Sequence, residues 1–369
     1  MDFTLSDDRQ ALVDVLGRFI RERYTLALRH KASQDAPGHD QATWQQLAEI
    51  GVIGALFDEE FGGFAGSPYD LIAIFETLGH GLVSEPVMPV LMAGTILEQA
   101  RPDLLEDIIA GQSIVVPALF EAGGRYDHTI IQTRAVKTGS GFTLDGSKGV
   151  VAHAEAANAL IVSATDESGS AGLYLVPTDA EGVFLRGYPG NDGSRAAEMS
   201  LTNVALDDGA RLGDIALADA AIAKGRLALC AEALGIAEWL KTATLDYLKT
   251  RVQFGKPIGS NQALQHRMVE MVVRIEQMRS AVINAAAAMD GNGGGTDTTA
   301  RDRAISAAKY TVGNNGIEVA EESIQMHGGI GMTMELDMTH FARRAVLIDH
   351  QLGDADHHLA SYIASAAAA

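Results

Sequence analysis

The sequence predicts a multi-domain α+β chain: an N-terminal helical domain over 1–112, a middle antiparallel β domain over 113–214 and a C-terminal helical bundle over 215–369. Three observations predict it. The 369 residues exceed one ordinary small domain and point to two or three. Apolar residues recur at helical spacing in both outer thirds. Between them lie short β-branched runs broken by Gly, Asp and Ser. No internal repeat is visible.

In the first third, "LSDDRQALVDVLGRFIRERY" reads as a helix with Ser6 as N-cap and acids in its first turn. "ATWQQLAEIGVIGALF" is a second helical stretch ending near glycines. "DEEFGGFAGSP" is a loop broken by Gly62, Gly63 and Gly66. "YDLIAIFETLGHGL" is apolar enough for a largely buried helix.

The texture changes near residue 113. "SIVVPALFE", "ALIVSATD", "AGLYLVPTD" and "GVFLRGYP" are strand-like, and "VKTGSGFTLDGSK" reads as a hairpin. From about 215 the helical period returns. "ADAAIAKGRLALCAEALGIAEWLKTATLDYLKTRVQF" lacks proline and reads as one long helix or two. "ALQHRMVEMVVRIEQMRSAVINAAAAM" is another, and "NGGGT" (292–296) a flexible loop before the third, "TARDRAISAAKYTVGNNGIEVAEESIQMHGG". Long antiparallel helices with broad apolar faces make a bundle that tends to oligomerise.

Composition narrows the class. Hydrophobic residues are 47% and charged residues 21%, which suits a soluble chain with a full core. A net charge of −20 argues against binding a nucleic-acid backbone, although local Arg and Lys can still grip an anionic ligand. The single cysteine, Cys230, sits in an apolar stretch and reads as packing. The N-terminus lacks the basic and apolar regions of a signal peptide, and no long uncharged apolar run suggests a membrane span. The expectation is a soluble, cytoplasmic protein with no membrane association.

Three segments carry possible chemistry. In "TRVQFGKPIGSNQALQH" (250–266), Arg251 ends a long helix and a sharp break follows. This is either an ordinary corner between helices or a bidentate phosphate grip. In "QMHGGIGMTME" (325–335), the glycine pair either caps a helix or bares backbone N–H groups to a ligand. In "LIDHQLGDADHH" (347–358), Asp354, His357 and His358 offer metal-ligand chemistry, but adjacent histidines on a helix point about 100° apart.

In this order and context, the first two segments resemble the acyl-CoA dehydrogenase family over essentially the whole chain. The likeness is strongest to its small-subunit branch, typified by pimeloyl-CoA dehydrogenase small subunits and similar to small chains paired with a larger homologue in bacterial steroid side-chain degradation. The motifs shared are "TRVQFGKPIGSNQALQH", "HGGIGMTME" and "GDADHHLA". The resemblance implies the acyl-CoA dehydrogenase fold, with the C-terminal part a four-helix bundle, and FAD held between subunits. By position, Arg251 would touch the FAD pyrophosphate of a neighbouring subunit. Phe254 would pack near the cofactor, Gln262 would approach it from the next helix, and Gln325, Gly328 and Gly329 would line the adenosine end.

The chain also departs from that family. Where it has a Thr-Glu-Pro stretch followed by Gly-Ser-Asp, this chain has "LFEAGGRYD", keeping Glu121 and Asp127. Where it has Trp-Ile-Thr beside the flavin ring, this chain puts Val150 and Ala152, so an aromatic wall and a hydroxyl are missing. The reaction needs a carboxylate to take the α-proton of an acyl-CoA thioester while flavin accepts the β-hydride. The family's two positions for that glutamate fall here on Leu352 and Gly225. Neither can act as a base, and no catalytic residue is assigned. Asp349, Asp354 and Asp356 lie near the first position, and Glu232 lies two turns along the helix from the second.

The resemblance therefore implies a subunit of a flavin-dependent acyl-CoA dehydrogenase, in a heterotetramer whose larger partner supplies the base. An electron-transfer flavoprotein is the expected acceptor. Two other readings stay open: a self-sufficient homo-oligomer with a relocated base, or a non-catalytic acyl-CoA-binding scaffold. Retention of Arg251, Phe254 and Gln325 argues against the scaffold. Pimeloyl-like dicarboxylic or steroid side-chain thioesters are both compatible substrates.

Overall fold

The computed structural model describes residues 7–290 and 298–367. The expected Ser6 cap and the glycine loop at 292–296 lie outside them. Helices α1 (Asp7–Arg23), α2 (Leu26–Gln34), α3 (Gln41–Ile50), α4 (Pro68–Gly81), α5 (Val87–Ala100) and α6 (Leu105–Ile109) fill the first third. Strands β1 (Val115–Ala118), β2 (Arg134–Thr138), β3 (Gly141–Ala152), β4 (Ala159–Thr165), β5 (Ala171–Pro177), β6 (Val183–Pro189), β7 (Arg195–Asp207) and β8 (Arg211–Asp214) follow. Then come α7 (Leu217–Thr250), the short strands β9 (Val252–Gln253) and β10 (Lys256–Pro257), α8 (Gln262–Met289), α9 (Thr298–His327), α10 (Asp337–His350) and α11 (Ala355–Ala367).

The chain packs as two compact units, each assembled from separate stretches of sequence. The first comprises Met1–Leu26, Ser67–Val83 and Arg226–Ala369; the second comprises Ala27–Gly66 and Ser84–Gly225. The divisions at 112 and 214 follow texture along the chain, and these units follow packing.

The first unit is a helical bundle. In α4, the Ser67 hydroxyl accepts the Asp70 N–H, and the Asp70 carboxylate accepts the Ser67 N–H, with Pro68 in the first turn. This capping box satisfies backbone donors that would otherwise be orphaned. The stretch read as one helix or two, α7, is a single helix of 34 residues. Its glycines do not break it because they serve packing. A Cβ at Gly235 would overlap the Glu76 carbonyl, and one at Gly79 would overlap the Glu232 carbonyl, so α4 and α7 touch backbone to backbone. Leu227, Leu229, Ile236 and Leu240 of α7, with Met271, Ile275 and Met278 of α8, form the buried core. Each such side chain contributes roughly 1.5–3 kcal/mol on burial.

The second unit is built on an eight-stranded sheet in the order β6-β7-β3-β2-β4-β5-β8, with β1 also paired to β4. The predicted hairpin is present: Thr138 pairs with Gly141 across a two-residue loop. The expectation of a wholly antiparallel sheet needs one correction. β1 runs parallel to β4, and β2 meets β4 in a parallel register. A tight turn can only return a strand antiparallel, and β1 instead leaves through the long loop 119–133. The N-terminal part of this unit is anchored by Trp44, fully buried, whose Nε1 donates to the Gly111 carbonyl at 3.0 Å. Among the described residues, no helix is long and apolar enough to cross a membrane.

Candidate functional site

At the end of α7 the chain turns through a two-residue hairpin. Val252 pairs with Pro257 and Gln253 with Lys256, leaving Phe254 and Gly255 at the tip. Both are left-handed, with φ of 52° and 80°, which is the geometry of a tight hairpin turn. Glycine adopts it freely, but a phenylalanine does so at a cost of roughly 1–2 kcal/mol. Phe254 is also fully exposed. A strained, solvent-facing aromatic ring is not explained by packing within this chain.

Arg251 stands at the base of the hairpin. Its N–H donates to the Tyr247 carbonyl at 2.8 Å, and its carbonyl accepts the Ile258 N–H at 2.9 Å. The backbone is thus held while the side chain faces solvent, and no carboxylate among the described residues pairs with it. Gln262 opens α8 and is likewise exposed.

The second motif lies at the end of α9. Gln325 is exposed on the last turn, and the chain passes through a short 3-10 turn, Gly328–Met332. Gly328 has φ of 69°, so it has a conformational reason to be glycine. Gly329 has no such reason. A Cβ at either glycine would meet no atom within 4 Å. The turn therefore presents open backbone where a ligand can approach closely.

One aromatic contact joins the two motifs. The rings of Tyr247 and His327 stack with centroids 4.4 Å apart and planes 25° apart. The Tyr247 hydroxyl also donates to the His327 carbonyl at 3.3 Å. Tyr247 is one helical turn before Arg251, and His327 immediately precedes Gly328. Neither stands out in the sequence. The only local sign is an aromatic residue one turn before Arg251 and a histidine before the glycine pair. Arg251, Phe254 and Gln262 are thereby brought to the same end of the bundle as Gln325, Gly328 and Gly329.

The two lost base positions are occupied differently. Gly225 has no side chain. Leu352 sits in a left-handed turn, φ 56°, whose carbonyl accepts from Arg226 Nε at 2.9 Å and from His358 Nε2 at 3.2 Å. With its proton on Nε2, His358 accepts at Nδ1 from Ser306 Oγ at 3.3 Å. Burial pushes the His358 imidazole down to about 2, so it is neutral.

The nearby carboxylates, exposed Asp356 apart, have internal work. Glu232 is buried and held by both prongs of Arg344, at 2.7 and 2.8 Å. Asp349 is buried against Gly313 and accepts the Ala355 N–H at 3.0 Å. Burial raises its carboxyl above the ordinary range, against the pull of Lys309. Asp354 accepts the His357 N–H at 2.8 Å and caps α11, and Asp356 is exposed. Lys309, 1% exposed, donates to the carbonyls of Ile348 and Gln351 at 2.8 and 2.9 Å, and to that of Asp349 at 3.3 Å. In the corner 347–358, Lys309 thus meets the carbonyls of Ile348, Asp349 and Gln351, and Arg226 and His358 meet that of Leu352. No group of three or more His, Cys, Asp or Glu among the described residues is arranged to hold a metal ion. Cys230 is fully buried, its thiol pushed up to about 12 by burial.

In the second unit, Glu121 is a buried counter-ion. It accepts from Lys148 Nζ at 2.7 Å, from Thr133 Oγ1 at 2.7 Å and from the N–H groups of Gln132 and Thr133. Burial alone would raise its carboxyl, but these donors outweigh burial and hold it below the ordinary range. Asp127 accepts from the N–H and hydroxyl of Thr129. Val150 lies at a bulge in β3, 73% exposed with φ of 53°, a rare conformation for a β-branched residue. Ala152 is half-buried beyond it. Neither residue offers an aromatic face or a hydroxyl.

Comparison with known proteins matches both helical parts of the chain to one family. Residues 6–107 match the model of the acyl-CoA dehydrogenase N-terminal domain, and residues 215–362 that of the C-terminal domain. The chain is 28% identical over 372 residues to the probable acyl-CoA dehydrogenase YngJ of Bacillus subtilis (strain 168), covering 95% of each. It superimposes on a variant of the Tcur3481-Tcur3483 steroid ACAD with a TM-score of 0.88 and 29% identity, covering 99% of this chain and 100% of that one. It has the same fold as a chain of the ChsE4-ChsE5 complex from Mycobacterium tuberculosis, with a TM-score of 0.90 and 24% identity over the full length of both.

Proposed function

The chain belongs to the acyl-CoA dehydrogenase family, and from that membership we propose that it is one subunit of an FAD-dependent enzyme that desaturates an acyl-CoA thioester between Cα and Cβ. A larger homologue completes the assembly and carries the base. One contrast supports this reading. The dinucleotide-facing residues of the bundle are presented to solvent, while the carboxylates near the lost base positions, exposed Asp356 apart, are engaged inside the chain.

The residues present suit FAD on its phosphate and adenosine side. Gly328 and Gly329 leave room for a close approach to their backbone. Arg251 offers a planar fork that can neutralise a pyrophosphate bidentately. Phe254 offers an apolar face, and Gln262 and Gln325 offer amides for polar groups of the nucleotide. The flavin, when bound, accepts the hydride from Cβ. This chain's part is to hold the dinucleotide end and fix its position; proton abstraction at Cα belongs to the partner. Similarity to the Tcur3481-Tcur3483 steroid ACAD supports a two-chain assembly and a bulky acyl group of the steroid side-chain kind. Electrons then pass to an electron-transfer flavoprotein.

The test is the flavin content of the purified chain, alone and co-expressed with its larger homologue. FAD only in the complex, near one per pair of chains, is the expected result. Stoichiometric FAD in the chain alone, bleached by acyl-CoA, would overturn it.

A further inference from the structure

We propose that Tyr247 and His327 are positioning residues that hold the two cofactor-facing segments of this chain in register, an inference that rests on the reading above. The geometry is specific. Tyr247 is held within α7 and accepts the Arg251 N–H at 2.8 Å through its carbonyl. His327 donates from Nδ1 to the Ser323 carbonyl at 2.8 Å, which fixes its ring on the last turn of α9. The two rings then stack at 4.4 Å, and the phenol closes the contact on the His327 carbonyl. The hairpin and the glycine turn have no other aromatic tie between them among the described residues.

His327 is itself buried, and the rest of the bundle core, aliphatic and methionine side chains with the stacked Trp239–Phe341 pair, lies further along the helices. What the stack does is couple the last turns of two helices, each carrying one half of a dinucleotide grip. Burial keeps His327 below its ordinary range and therefore neutral, so the contact is a neutral aromatic stack. A grip whose halves move independently loses the preorganisation that makes both contacts at once.

The experiment uses the complex with the larger homologue. Tyr247→Leu, His327→Leu and Tyr247→Phe are compared for FAD dissociation constant and for thermal midpoint of the FAD-free protein. Loss of the stack is expected to weaken FAD by about tenfold in either leucine variant. Tyr247→Phe, which keeps the ring, stays close to wild type, and the midpoints do not move. A leucine variant with wild-type affinity overturns the proposal. A midpoint that falls together with affinity also overturns it, because the pair is then merely structural. A wild-type complex that binds no FAD instead defeats the underlying reading, so the two failures are distinct.

Discussion

Arg344 holds Glu232 by two parallel hydrogen bonds, Nε to Oε1 at 2.7 Å and Nη2 to Oε2 at 2.8 Å, while its Nη1 reaches Gln351 Oε1 at 2.9 Å. One guanidinium therefore ties α7 to α10 and to the corner after it. A carboxylate gripped in this way serves as a structural anion, and the relocated-base idea loses its best residue.

Replacing Glu232 with alanine removes the carboxylate from the half-buried Arg344. Breaking such a pair costs about 3–5 kcal/mol. Urea unfolding should show a loss of that order for Glu232→Ala, and substantial recovery in the Glu232→Met/Arg344→Met double variant. Turnover of the co-expressed complex with Glu232→Gln should stay within about twofold of wild type, as expected for a carboxylate already held by Arg344.

Arg251→Ala should leave stability within about 0.5 kcal/mol, as expected for an exposed side chain that pairs with no carboxylate among the described residues. FAD retention by the complex should fall at least tenfold. Arg251→Lys should recover only part of it, because an ammonium cannot reproduce the bidentate fork. Equal retention in all three proteins, measured by flavin absorbance after gel filtration, would count against a pyrophosphate contact.

The two glycines should separate conformation from space. Gly328→Ala must adopt φ near 69° and should cost about 1 kcal/mol in folding. Gly329→Ala meets nothing within 4 Å and should fold as wild type, yet bind FAD more weakly. Unfolding curves and FAD titrations on the two variants check both halves.

Stability should rise with pH across two windows. Burial pushes the His358 imidazole down to about 2, so below its unfolded value near 6.5 only the unfolded chain takes up that proton. This contributes a loss of about 1.4 kcal/mol per pH unit on acidification from there. Burial likewise pushes Lys148 and Lys309 down to about 8. Between about 8 and 10.5 the unfolded chain binds more protons than the folded one, so stability climbs as those ammonium groups cease to be buried charges. Urea midpoints from pH 5 to 10 test the sign, and His358→Asn should flatten the acid limb.

Much of this is legible in the sequence because it is local. The helix read from "YDLIAIFETLGHGL", the hairpin after β2 and the break after Arg251 each depend on residues within a few positions. The continuity of α7 is not legible, since only the contact with α4 explains why Gly235 is tolerated. The buried helix α5 escapes a reading by periodicity because its run of Val, Met, Leu and Ile has no polar face to mark a period. The parallel β1–β4 pairing depends on register across 44 residues. The site follows the same rule. Arg251 and the glycine pair can be picked out by type and order. The Tyr247–His327 contact, 80 residues apart, and the anions paired with Arg344 and Lys148 exist only after folding.

The exposed hairpin tip has a consequence for how cells must handle this chain. Phe254, Val252, Val269, Val273 and Met332 all lie open on the bundle before anything covers them. A chain left with that surface uncovered carries it into a crowded cell, where aggregation and proteolysis compete for it.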